Sequence, residues 1–134
     1  MDVASALADL TEISSQIEAA VVLDAKGAVL ASTLAEPETD RLARAAVGLY
    51  EAATARFRST GRSVTQLEAA LRGGSVFLVR EGDVGIVART SAGPTSGLVF
   101  YDLRTCLRAV AEAEQRKPKP RSRAAKKKPE TADA

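Results

Sequence analysis

Residues 64–90, VTQLEAALRGGSVFLVREGDVGIVART, hold three runs of strand-forming residues separated by Gly73-Gly74 and by Glu81-Gly82-Asp83. Nothing else in the chain narrows the fold as much. Connections this short require antiparallel pairing, because a parallel return needs a crossover of about a dozen residues. In the first run Thr65, Leu67, Ala69 and Leu71 alternate with Val64, Gln66, Glu68, Ala70 and Arg72, the period-two pattern of a half-exposed strand. The runs Val76–Arg80 and Val84–Thr90 are apolar almost throughout and read as interior strands. The polar run 64–72 therefore suits the edge of a sheet.

The rest of the body supplies two more strands and three helices. Val3, Leu7, Leu10 and Ile13 recur at helical spacing. The apolar runs Ala19–Leu23 and Ala28–Ala31 flank Asp24-Ala25-Lys26-Gly27, a hairpin turn with glycine where a positive φ is needed. Their consecutive apolar residues predict a sheet covered on both faces. A helix is expected from about Pro37 to Thr60, with Glu36, Glu38 and Asp40 at the positive end of its dipole and Gly61 ending it. Leu42, Ala46, Leu49, Tyr50, Ala53 and Phe57 form its core stripe. Ala45, Gly48, Ala52 and Ala55 form a second stripe that carries almost no bulk and would let another helix approach closely. Alanine is also simply a good helix former, but glycine inside a helix costs roughly 1 kcal/mol against alanine and calls for a reason. A last helix follows SAGPTSG, with Leu103, Leu107 and Val110 facing the core and Leu98–Tyr101 leading in. The order α-β-β-α-β-β-β-α predicts an α+β domain, a five-stranded antiparallel sheet with helices on both faces.

Composition removes most chemistry. Histidine is absent and cysteine occurs once, so neither a nitrogen–sulfur zinc site nor a disulfide can form within one chain. Neither GxxxxGK[ST] nor GxGxxG occurs. Cys106 reads as a small apolar filler, and SAGPTSG as a plain connection rather than an anion site. No enzyme activity, cofactor or metal is expected. The acidic, amphipathic start has no secretion-signal pattern, and no apolar run nears the roughly 20 residues of a membrane span, so a cytoplasmic protein is expected.

Charge divides the chain. Residues 1–115 carry eleven Arg/Lys against fifteen Asp/Glu, a balance of −4. Beyond them Arg116, Lys117, Lys119, Arg121, Arg123, Lys126, Lys127 and Lys128 stand against Glu130 and Asp133, a balance of +6. The expectation is one domain over 1–115 and a disordered basic tail over 116–134, since so charged a segment cannot bury enough apolar surface to offset its ordering entropy.

The element order, the AAVVLDAKGAVLAS hairpin, the long second helix, LRGGSVFLVREGDVGIVART and the GLVFYDL lead-in to the last helix together resemble the Roadblock/LC7 family, in its bacterial, MglB-like form that regulates small GTPases. The likeness spans about residues 2–115 and leaves out the tail. It implies a non-enzymatic homodimer in which the third strand of each copy pairs with its twin and the second helices lie side by side. Val64, Gln66, Leu67, Glu68, Ala70 and Leu71 would then line the strand pairing, and Ala45, Gly48, Ala52 and Ala55 the helix pairing. It also implies a Ras-like small GTPase as partner, with Arg41, Arg44, Glu51 and Arg58 as candidate contacts. Arg56, Arg58 or Arg62 would be available as an arginine finger, an interaction worth roughly 10³–10⁵ in rate. Two other readings stay open: binding of nucleic acid or another polyanion by the tail, which lacks aromatics to stack on bases, and a dimeric scaffold with no GTPase.

Overall fold

The computed structural model describes residues 2–116. A first helix, α1 (Val3–Ile13), is capped by Asp2, whose carboxylate accepts from the Ser5 amide at 2.8 Å. Strands β1 (Ile17–Asp24) and β2 (Val29–Ser32) follow, then α2 (Glu38–Phe57) and a 3-10 turn over Arg58–Thr60. The meander is β3 (Gln66–Leu71), β4 (Gly74–Glu81) and β5 (Val84–Ser91), and α3 (Ser96–Arg116) closes the described chain. The sheet is antiparallel throughout, in the order β2-β1-β5-β4-β3, so β2 and β3 form its two edges.

Side-chain parity sorts the core into two layers. Ala20, Val22, Phe77, Val79, Ile86 and Ala88 face α1 and α3, packing against Leu7, Leu10, Val99, Leu103, Leu107 and Val110. Val21, Leu23, Leu78 and Val87 face the other way, against Leu42, Ala43 and Ala46 of α2. Alternate residues of β1, β4 and β5 are thus buried by different helices, which is why these strands are apolar on consecutive positions.

The turns follow their local chemistry. Asp24 Oδ1 accepts from the amides of Lys26 and Ala28, and Gly27 takes φ 86°. A side chain at Gly27 would also meet Val47 Cγ2, so this turn sets how closely α2 approaches.

Several expectations need correcting. Val64, Thr65 and Arg72 fall outside β3, although the Thr65 carbonyl still accepts from the Arg80 amide at 2.8 Å. Edge strand β2 is only partly covered, with Val29 exposed. Phe57 is 50% exposed although it shares a helical face with Tyr50. No α2 residue after Ala46 is buried. Pro37 stands at the N-cap of α2 rather than inside its first turn. Leu98–Tyr101 belong to α3 itself, and Leu98, Tyr101 and the terminal Ile13 of α1 point outward.

Arg116 ends α3 and is exposed; the expected tail cations Lys117, Lys119, Arg121, Arg123, Lys126, Lys127 and Lys128 lie outside the described residues. Among the described residues no helix is long and apolar enough to cross a membrane.

Candidate functional site

Two neighbouring surfaces are left uncovered among the described residues. The first is the free side of β3. Thr65 is paired with Arg80, so Leu67, Ala69 and Leu71 share its parity and turn their backbone groups toward β4. In an antiparallel ladder the intervening residues turn both amide and carbonyl the other way. Gln66, Glu68 and Ala70 therefore present three donor–acceptor pairs outward, with no partner strand among the described residues.

Side chains on this strand are divided between the faces. Gln66 Oε1 accepts from Arg104 Nη1 at 3.0 Å, and Glu68 Oε2 accepts from Ser96 Oγ at 2.8 Å, so both are tied to α3. Leu67 packs on the α2 side. Leu71, on the same face, is 62% exposed, and Ala69 and Val76 are only half-buried there. Val64, ahead of the strand, is half-buried.

The second surface is the outer side of α2. Ala45, Gly48, Ala52 and Ala55 are all exposed, and a methyl group at Gly48 would meet nothing within 4 Å. No contact among the described residues explains the glycine. Gly48→Ala is therefore expected to stabilise the single chain by about 0.5–1 kcal/mol, read by thermal unfolding at low concentration.

At 3.6 residues per turn the stripe is not one line. Gly48 and Ala55 ride the crest of the helix. Ala45 and Ala52 lean to one flank, where Leu49 and Ala53 are half-buried. Arg44, Val47 and Glu51 stand on the opposite flank, lining a shallow groove with Lys26–Val29.

The four expected GTPase contacts are spread along α2. Arg41 pairs with Glu38 at 3.8 Å and Arg44 with Asp40 at 2.8 Å, both in solvent, where such pairs are worth about 0–1 kcal/mol. Arg58 lies at the far end, about 20 Å from Arg44 at 1.5 Å per residue. Arg56 and Arg62 are exposed near it. Tyr50, by contrast, is held on the sheet side beneath the Arg80 guanidinium, 5.1 Å from its ring centroid.

Sequence reasoning passed over Ala69, Val76, Leu49 and Ala53, which border these surfaces. Ala69 was recoverable from the strand alternation. The other three read as ordinary core because nothing local says that the sheet face under them is left half open.

Cys106 is buried, its thiol donating to the Ala6 carbonyl at 3.5 Å. Burial, with a smaller contribution from the Asp9 carboxylate, pushes its pKa up to about 11. Since the thiolate is the reactive form, a thiol reagent at about pH 8 should leave the folded protein unmodified and label it fully once unfolded.

Comparisons with known proteins agree on the architecture. The family model for the Roadblock/LC7 domain matches residues 4–90. Among solved structures, the Roadblock/LC7 domain from Streptomyces avermitilis superposes with a TM-score of 0.75 at 20% identity, covering 86% of this chain and 99% of that one. The gliding protein mglB from Thermus thermophilus gives 0.73 at 19% identity, covering 86% and 90%. Myxococcus xanthus MglB gives 0.72 at 16%, covering 84% and 95%. At these identities the likeness establishes the fold. Among curated proteins none matches significantly.

Proposed function

The chain belongs to the Roadblock/LC7 domain family, and from that premise we propose that it acts as a non-enzymatic, homodimeric module that binds a Ras-like small GTPase and modulates its nucleotide state or location. The observation that carries this reading is the open side of β3, with its outward backbone groups and half-covered apolar face next to the bare outer side of α2. An open strand edge is a liability that proteins cover, and a second copy covers it by two-fold symmetry.

The outward parity restricts how two β3 strands join. Gln66, Glu68 and Ala70 must pair with one another or with Val64 and Arg72 of the second copy, so the two-fold axis falls at Leu67, Glu68 or Ala69. Centring it on Glu68 opposes two carboxylates, which is unfavourable. Centring it on Ala69 sets Leu67 against Leu71 of the second copy and Gln66 against its Arg72. That register buries the exposed Leu71 and brings Arg72 diagonal to Glu68. It is the arrangement we favour.

A GTPase would then meet the paired α2 helices, with Arg41, Arg44, Glu51 and Arg58 as the charged groups within reach. The test uses sedimentation and binding together. The purified protein is expected to sediment as a dimer, to hydrolyse no GTP alone, and to bind a Ras-like GTPase from its own genome with at least tenfold preference for one nucleotide state. Equal affinity for the GDP and GTP forms, or no binding, would remove the GTPase from the reading and leave the dimer standing.

A further inference from the structure

On the face opposite α2, helices α1 and α3 leave a groove of about 250 Å³ between them. Its walls are apolar: Ala6, Leu10, Ile13, Tyr101 and Ala109. Ile13 and Tyr101 remain 71% and 61% exposed at its rim. Two carboxylates also line it, those of Asp9 and Asp102. Asp102 is only 9% exposed, yet it makes no hydrogen bond or ion pair among the described residues. Arg104, close to it in sequence, is turned toward β3 and donates to Gln66. A cation with an aliphatic stem would match both the two carboxylates and the apolar walls.

The chain carries such cations within reach. Asp102 stands fourteen positions before Arg116, which is about 21 Å of helix at 1.5 Å per residue. Retracing that distance takes about seven residues of extended chain at roughly 3.1 Å each. With about three more residues for a reversal beyond Arg116, the chain is long enough to reach Asp102 from about residue 126 onward. Lys126, Lys127 and Lys128 occupy those positions of the sequence. The tail contains no large apolar side chain that would compete for the groove, and its +6 faces a body of −4.

We propose that the groove between α1 and α3 is a docking site for the chain's own C-terminal segment, with a lysine of 126–128 laid along Ile13 and Tyr101 and its ammonium group on Asp102 and Asp9. The site is independent of β3 pairing and of any GTPase, so either reading stands if the other fails.

The full-length protein provides the test. Zero-length carbodiimide coupling, which joins a carboxylate to a lysine as an amide, is expected to link Lys126, Lys127 or Lys128 to Asp9 or Asp102. The yield should fall several-fold in about 0.5 M salt, where charges are screened beyond a few ångströms, and vanish in the D9N/D102N variant. In a mixture of isotopically labelled and unlabelled protein the links should fall within one chain. Independently, K126E/K127E/K128E should shift the amide resonances of Ile13, Tyr101 and Asp102 and spare those of α2. Groove resonances that stay put in that variant would overturn the proposal, as would links to Glu38, Asp40 and Glu51 in equal yield. Links found only between labelled and unlabelled copies would overturn it too, giving the groove to a second molecule.

Discussion

Replacing Ala70 with proline is expected to convert the proposed dimer to folded monomers, whereas the same change one residue earlier should damage the fold itself. Ala70 is exposed, and by the pairing of β3 with β4 its amide points away from β4. Proline there removes a donor that the described residues do not use, at an outward-facing edge position where proline is tolerated. Ala69 is paired with Val76 with its amide directed at β4, so Ala69→Pro strips an internal ladder bond. In the pair, each lost outward donor leaves an acceptor unsatisfied at about 1–3 kcal/mol. Two-fold symmetry doubles this to about 2–6 kcal/mol, or roughly 30- to 10⁴-fold in the dimer dissociation constant. Sedimentation across a concentration series, with circular dichroism as the fold check, measures both. A folded Ala70→Pro protein that still dimerises as tightly as the parent would mean that copies join elsewhere.

The largest stability loss is expected at Phe77. It is fully buried at the middle of β4 and meets Phe100 of α3 edge-on, ring centroids 5.0 Å apart at 78°. Phe77→Ala removes most of a side chain from a close-packed layer and should cost about 3–5 kcal/mol, a large share of the roughly 5–15 kcal/mol that holds such a domain together. Phe57→Ala is the matched control. Phe57 is half exposed at the end of α2, and its loss should cost well under about 1 kcal/mol in the isolated chain. Chemical denaturation of the two variants at equal concentration checks the contrast. Equal losses would mean that the end of α2 is packed more tightly than its exposure indicates.

That contrast also marks where reading residues in order stops working. Phe57 and Phe77 are equally apolar, and both sit in strongly patterned segments. Phe77 is core because β5 and β3 flank its strand and α3 closes over it. Phe57 is surface because it lies in the half of α2 where no residue is buried. Ile13 and Tyr101 are likewise exposed, at the rim of the groove between α1 and α3. Cys106, conversely, was legible as filler, since its neighbours Leu103, Leu107 and Val110 set the buried side of α3.

The candidate site divides in the same way. The β3 edge was visible as a polar alternation beside two apolar strands, and the bare side of α2 as Ala45, Gly48, Ala52 and Ala55. Their orientation was not visible. Gly48 and Ala55 ride the crest of α2, while Leu49 and Ala53 turn toward the flank, and only the docked helix shows this. Nor was there any local sign that Asp102, one of fifteen acidic residues in the body, would be largely buried beside an apolar groove.

Residue order alone determined the elements, their antiparallel turns and their burial period, because glycine conformation, capping and side-chain alternation act over a few neighbouring residues. Tertiary packing decided which strand ended at an open border, which part of each helix is buried, and which carboxylate is largely covered. Those outcomes depend on groups brought together from distant parts of the chain, and no short window of sequence contains them.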